Sequence, residues 1–354
     1  MKLSVCLIVK NEERVLGRCL SCASKIADEL IVVDTGSTDR SVEIAKQFTS
    51  RVYLHPWQGS FAEARNYAYS KATCEYMMWL DADDVISDEN IARFLELKQT
   101  MPEDTDVVFT FYRTPAEDGI GTYILRDRII RRSLNPKCIG DAHEAIPIHP
   151  DWKRLNATDI TIFHKNEYVN DPDRNMNIFK NVLREQRNMN AFEKSNYCKE
   201  LTIAGQHEKA YEVFGEYKGN CNALEYYYGF NFVVESLLEL KRYETCIREL
   251  EELESRIPTT AYMVYWQGFC REALGETERA EQCYLRAMTI PEDPTTYYIQ
   301  HTGFTDYFPM LALARIEARR RNKEKAREYI EKAAALYPLH SAWKREKIEL
   351  LFLR

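Results

Sequence analysis

The chain reads as an α/β domain built on a doubly wound, mostly parallel sheet, followed by an all-α domain of helical repeats. Three observations predict this. Short β-rich runs alternate with amphipathic helical stretches through the first half. Near Asp173 the strand signals stop, and helical segments rich in Glu, Lys, Ala, Leu and Tyr take over. Within those segments small residues return at a near-constant interval. At 354 residues the chain exceeds one ordinary core, so the change of composition divides it into 1–172 and 173–354.

In order, "LSVCLIV" (3–9) is a buried first strand, followed by an amphipathic stretch from Glu12 to about Ala23. "ELIVVD" (29–34) is a second strand, and "GSTDRSVEIAKQF" opens a helix. "RVYLH" (51–55), a helix from about Ser60 to Lys71, "YMMWLD" (76–81) and "DVVFTFY" (106–112) continue the alternation. In sheets of this kind ligands bind at the carboxyl ends of the strands. Polar residues gather at those ends: Asn11 and Glu12 after the first strand, Asp34 at the second, Asp81 to Asp84 at a later one.

In the second half, the segments "AGQHEKAYEVF", "KRYETCIRELEEL", "LGETERAEQCYLRAM" and "RNKEKAREYIEKAAALYP" place one small position on Ala210, Cys246, Ala280 and Ala326. Cys246 and Ala280 are 34 residues apart and Ala210 and Cys246 are 36 apart, near the length of a tetratricopeptide unit. Four residues on stand Phe214, Leu250, Tyr284 and Ile330, and three beyond those Tyr217, Leu253, Ala287 and Ala333. The last interval, 46 residues, implies an inserted loop at "PEDPTTYYIQHTGF". Stacked helix pairs form a curved surface suited to extended partners. The Tyr-rich "EYYYGF" (225–230) serves either as packing between repeats or as a patch for a homodimer.

Composition excludes several classes. A net charge of −7 supplies no basic face for nucleic acid. No run approaches the roughly 20 apolar residues of a membrane helix. The opening apolar run is short and ends in Lys10, Asn11, Glu12 and Glu13, so it reads as a strand of a cytoplasmic protein rather than a signal peptide. The ten cysteines are scattered, as reduced thiols would be. Cys19 and Cys22 form a C-x-x-C on a helix, with no second pair to complete a zinc site.

The run "MMWLDADDVI" crowds Asp81, Asp83 and Asp84 at a strand end. Carboxylates so close repel one another unless a cation or a set of donors compensates them. The chain lacks G-x-G-x-x-G and G-x-x-x-x-G-K-[ST], so it has no glycine cradle for a nucleotide. The alternative grip on a diphosphate is a divalent cation, and hard carboxylate oxygens suit Mg²⁺ or Mn²⁺. In a D-x-D, one carboxylate serves the ion and the other a neighbouring group such as a ribose hydroxyl.

Together "LSVCLIVKNEE", "IVVDTGSTDRS" and "WLDADD", in this order and spacing, resemble the family 2 glycosyltransferases of the GT-A, Rossmann-like fold, over roughly residues 1–170. The coupling to tetratricopeptide repeats is similar to a bacterial subgroup of peptide and protein glycosyltransferases of the sublancin S-glycosyltransferase type. The resemblance implies that Val9, Asn11, Glu12 and Asp34 line a nucleoside pocket. It implies that Arg65 and Asn66 face the nucleotide-sugar, that Asp81 meets ribose or metal, and that Asp83 is the main metal ligand with His164 as a late one. In "RIIRRSLNPKCIGDAHEAIPI" it implies donor-site roles for Arg128, Arg131 and His143, and makes Glu144 the first candidate base and Asp141 the second. Asp84 is expected to be a support or a helix cap.

The activity implied is metal-dependent, inverting transfer of a single sugar from a nucleotide-sugar, expected to be a UDP-sugar, to a peptide or protein acceptor held partly by the repeats. Processive synthases of the same family carry membrane helices and a Q-x-x-R-W motif, and neither is present here. Two rivals remain at this point: a nucleotidyltransferase, which would want a glycine- and lysine-rich loop in place of "VKNEERV", and a repeat scaffold with a silent first half.

Overall fold

The computed structural model describes residues 1–114, 119–165, 171–293 and 295–352. They divide into two compact units. The first takes residues 1–114, 123–188 and 295–297; the second takes 119–122, 189–293 and the chain from Tyr298 on. The helix after the expected boundary at 172/173 therefore belongs to the first unit.

The first unit holds β1 (Leu3–Val9), α1 (Leu16–Ile26), β2 (Glu29–Asp34), α2 (Ser41–Phe48), β3 (Val52–Leu54) and α3 (Phe61–Ser70). It continues with β4 (Tyr76–Leu80), β5 (Asp84–Val85), α4 (Asp88–Thr100), β6 (Val107–Thr114), β7 (Thr122–Arg131), β8 (Arg154–His164) and α5 (Arg174–Arg184). The strand order is β3-β2-β1-β4-β7-β6-β8-β5. β3, β2, β1 and β4 are mutually parallel, as the alternation with helices demands. Beyond β4 the sheet is mixed: β7 runs antiparallel to β4, β6 runs parallel to β8, and β5 runs antiparallel to β8.

β1 and β4 are near-continuous apolar runs because both faces of the sheet are covered. On β4, Met78 and Leu80 pack into the core shared with Leu16 and Leu20 of α1 and Phe94 of α4. Met77 and Trp79 turn to the opposite core, with Ala62, Ala68 and Tyr69 of α3. Burying a side chain of this size contributes about 1.5–3 kcal/mol. The two apolar layers thus fix the register that delivers Asp81 to the end of β4.

The second unit holds helical hairpins α6 (Ala191–Ile203) with α7 (His207–Tyr217), α8 (Ala223–Glu239) with α9 (Tyr243–Arg256), and α10 (Ala261–Ala273) with α11 (Thr277–Ala287). After the short strand β9 (Gln300–His301) come α12 (Tyr307–Arg319) with α13 (Lys323–Leu336), and then α14 (Ala342–Phe352). The repeated position read from the sequence is real: Ala210, Cys246, Ala280 and Ala326 are each 0% exposed. The large residues four further on are buried as well. The long interval corresponds to the stretch between α11 and α12; Pro294, within the expected inserted loop, lies outside the described residues.

A second repeated position, twelve residues earlier, holds Cys198, Val234, Gly268 and Ala314, all buried. At Gly268 a Cβ would stand 2.8 Å from Tyr284 Cε1, so only glycine lets α10 and α11 approach this closely. Each hairpin turns through one residue in the left-handed region: Gly205, Lys241, Gly275 and Arg321. The bonding is the same each time. Gly205 N–H donates to Thr202 O and Gln206 N–H to Leu201 O, a pattern repeated at 241/242, 275/276 and 321/322. This paired closure satisfies the last carbonyls of the first helix of each pair. In "EYYYGF", Tyr226, Tyr227 and Phe230 are at most 2% exposed, which makes the stretch core packing and removes it as a dimerisation patch.

Candidate active site

The Asp81 loop is built by reciprocal bonds. Asp84 N–H donates to Asp81 O at 3.0 Å, and Asp84 Oδ2 accepts from Asp81 N–H at 3.0 Å. From below, α1 braces it: Cys19 Sγ donates to Asp81 O at 3.1 Å, and Cys22 Sγ accepts from Ile86 N–H at 3.4 Å. The C-x-x-C is thus a support for this loop, and among the described residues every cysteine is free. Ser87, not Asp84, caps α4, accepting from Asn90 N–H.

Asp84 is fully buried and is the hub of the site. Besides the Asp81 amide, it accepts from Tyr112 Oη at 3.0 Å and Arg128 Nη1 at 3.3 Å, and its Oδ1 lies 3.2 Å from His164 Nδ1. The antiparallel register of β5 and β8, which sets Asp84 opposite His164, creates the last of these. Asp81, Asp84 and His164 each offer a ligand atom, all within 4.8 Å of one another, a group able to hold a metal ion. Asp83 stands beside this group rather than in it, with Oδ1 3.3 Å from His164 Nδ1.

Burial opposes ionisation of Asp81, but the charges of Arg65, Arg128 and His164 outweigh it and hold the carboxyl well below the usual range. Burial likewise opposes charge on His164; the Asp83 and Asp84 carboxylates prevail and push the imidazole up to about 10. His164 would hold a metal ion only as the neutral imidazole, so binding at this group would release its proton.

Arg65, projecting from α3, is buried and joins two halves of the site. Its Nη2 donates to Asp81 Oδ1 at 2.5 Å and its Nε to Glu144 Oε1. Asn66, next on the helix, does not face the site. Its amide brackets the Cys138 backbone, accepting from Cys138 N–H at 2.9 Å and donating to Cys138 O at 3.0 Å. It fastens the segment that carries Glu144. Asp141 is engaged elsewhere, by an ion pair with Arg187, while its carbonyl accepts from Phe61 N–H at 2.9 Å. His143 adopts φ 55° and meets the Asn175 side chain at 3.4 Å.

The loops after β1 and β2 are tied to one another. Asp34 accepts from Gly36 N–H at 3.1 Å and from Ser37 N–H at 3.1 and 3.2 Å. Asn11, at φ 57°, accepts from Thr38 N–H at 2.7 Å and donates its own N–H to Ser37 Oγ at 2.9 Å. Glu12 N–H donates to Ser41 Oγ at 2.8 Å, and Val9 O accepts from Thr35 N–H at 2.9 Å. Asn11 and Asp34 therefore shape the rim of the crevice, spending these acceptors on its own amides.

Arg128 and Arg131 part company. Arg128 is 0% exposed, layered between Trp79 at 3.6 Å and Tyr112 at 4.2 Å. Arg131 pairs in register with Tyr76, at the start of β4 and so at the other end of the strand from Asp81. There it bonds Glu75 and the Thr105 carbonyl, and the structure does not bring it to the site. Sequence reasoning missed Tyr112 and Trp79. Trp79 carries three guanidinium groups around its ring, those of Arg128, Arg65 at 4.8 Å and Arg126 at 5.2 Å. The alternation on β4 was the only signal that Trp79 and Arg65 share a face.

Residues 4–150 match the model of Glycosyl transferase family 2. This part of the chain, under half of its length, is similar to a family 2 glycosyltransferase domain. A TPR repeat-containing protein of Synechococcus elongatus is 32% identical over 145 residues, 41% of this chain and 35% of its own. The SPbeta prophage-derived glycosyltransferase SunS of Bacillus subtilis is 36% identical over 98 residues, 25% of this chain and 23% of its own. The match spans about a third or less of the length of these curated relatives. Glucosyl-3-phosphoglycerate synthase of Mycobacterium tuberculosis, solved with Mn²⁺ and UDP-glucose, aligns at a TM-score of 0.35 and 18% identity, over 54% of this chain and 81% of its own. No described helix is long and apolar enough to cross a membrane.

Proposed function

We propose that this protein is a metal-dependent, inverting glycosyltransferase. It moves a single sugar from a nucleotide-sugar, a UDP-sugar in our reading, to a peptide or protein acceptor held partly by the helical repeats. The observation that carries the reading is the Asp81, Asp84 and His164 group at the strand ends of a domain similar to family 2 glycosyltransferases.

Two carboxylates and an imidazole suit Mn²⁺ or Mg²⁺. Asp81, Asp84 and His164 would hold the ion, with Asp83 flanking them; when bound it supplies positive charge to the leaving diphosphate. The remaining work falls to the chain. The β1 and β2 loops, knit by Asn11, Glu12 and Asp34, form the nucleoside side of the crevice. Arg65 sets the distance between the Asp81 loop and Glu144. Glu144 accepts the proton of the attacking acceptor group at its carboxylate, and its anchorage on a buried guanidinium fixes the direction from which it does so. Asp141, engaged by Arg187, is the weaker candidate. The curved face of stacked hairpins is the natural seat for an extended polypeptide.

The test is donor turnover. Purified protein is incubated with a panel of UDP-sugars and Mn²⁺, and UDP release is followed with and without EDTA. Metal-dependent release that Asp81→Asn abolishes supports the reading; nucleotidyl transfer from a triphosphate, or no turnover with any donor, overturns it.

A further inference from the structure

We infer that Arg128 is a positioning residue whose guanidinium acts as a built-in counter-charge for Asp84, so that the carboxylate group stays assembled before any cation arrives. The inference rests on the metal-dependent reading above and deepens it.

Asp84 is fully buried, and a buried carboxylate without a partner is strongly destabilising. Arg128 is equally buried and ion-paired to it at 3.3 Å, while its Nη1 also donates to Trp79 O at 3.1 Å. Two aromatic faces, Trp79 and Tyr112, enclose the guanidinium, and Tyr112 Oη bonds the same carboxylate. A group meant to touch a donor would reach solvent, and Arg128 does not. Its Nε and Nη2 are buried without hydrogen-bond partners. Arg128 is thus held for its charge and stacking, at the cost of two donors. Arg65 is committed to Asp81 and Glu144, which leaves Arg128 as the arginine bonded to Asp84.

An internal cation and a bound cation are then alternative partners for one buried carboxylate. Without Arg128, the ion-free protein keeps only the partly exposed His164 as a counter-charge beside Asp84, a deficit that an added ion can offset. Thermal unfolding of wild type, Arg128→Met and Arg128→Lys, each in EDTA and in saturating Mn²⁺, tests this. The Mn²⁺-induced rise in Tm of Arg128→Met is expected to exceed that of wild type by at least about 4 °C, well beyond ordinary surface substitutions. Arg128→Lys, which keeps the charge, is expected to stay near wild type. Equal Mn²⁺ shifts in all three overturn the inference while leaving the metal site standing; no Mn²⁺ shift in any of them overturns the metal site and the inference with it. If Arg128→Met does not fold, the Asp84→Asn/Arg128→Met double variant decides. Recovery of a folded protein supports charge compensation, and continued failure assigns Arg128 to packing.

Discussion

Arg65 Nη2 lies 2.5 Å from Asp81 Oδ1, and the same guanidinium holds Glu144. One buried cation therefore serves two carboxylates from separate segments. Arg65→Met is expected to lower stability by about 3 kcal/mol, because it strands charge in a poorly solvated place. Denaturant unfolding checks it; a loss under ~0.5 kcal/mol, typical of a surface site, refutes the assignment.

Glu144 stands on the acceptor side in our reading. Glu144→Gln retains volume and an acceptor for Arg65 Nε but takes up no proton. Turnover to a hydroxyl acceptor is expected to fall roughly 10²- to 10⁴-fold with donor affinity little changed. Asp141→Asn is expected to cost far less. If Glu144→Gln raises KM for the donor and spares kcat, Glu144 is a binding residue.

The metal group makes an ordering testable. Asp81→Asn and His164→Ala are expected to weaken Mn²⁺ binding, measured by calorimetry, by more than about tenfold, since even residues supporting a metal ligand contribute 10–100-fold. Asp83→Asn is expected to have the smaller effect, because Asp83 flanks the group. A reversal, with Asp83 dominant, would return the main ligand to the position the D-x-D pattern first suggested.

Lys241 and Arg321 adopt the left-handed conformation that Gly205 and Gly275 adopt in the equivalent turns. A side chain there costs about 1–2 kcal/mol, and glycine gives back part of that gain through unfolded-state entropy. Lys241→Gly and Arg321→Gly are each expected to stabilise by up to about 1 kcal/mol, and Gly205→Ala and Gly275→Ala to destabilise. Paired thermal melts read the sign directly.

His301 supplies a pH signature within the repeats. Burial depresses its imidazole to about 4, while its Nε2 meets Asn231 Oδ1 at 3.0 Å and its ring stacks on Tyr262 at 4.3 Å. An unfolded histidine titrates near 6.5. Between these values the unfolded chain binds the extra proton, so stability falls as pH drops from about 6.5 towards 4, by at most about 1.4 kcal/mol per unit. His301→Gln should flatten that slope. An unchanged slope would assign it to other groups.

Much of the architecture was legible because it rests on local signals. The strand ends at Asp34 and Asp81 followed from apolar runs, and the repeats from the spacing of Ala210, Cys246, Ala280 and Ala326. The site was legible as a place but less so as a set of contacts. Asp84 looked like support because its neighbours Tyr112, Arg128 and His164 are distant in sequence, and only the β5–β8 register brings His164 opposite it. Arg128 and Arg131 were indistinguishable as a spaced pair. They lie three residues apart on one strand, so they face opposite sides and different ends of β4. Gly268 went unnoticed because its need for glycine comes from Tyr284 on the next helix.

Asp84 and His164 are 80 residues apart in sequence, and the two-residue β5 is what joins them. Loop-closure entropy weighs on such long-range pairings before their contacts form. The cation group is therefore expected to form late in folding, after any nucleus made by β1, β2 and their helices. Interactions missing from the transition state leave the folding rate alone and slow the reverse step. An ion held there would act as a lock on the finished sheet rather than a template for building it, and its presence would be felt in how long the native state lasts.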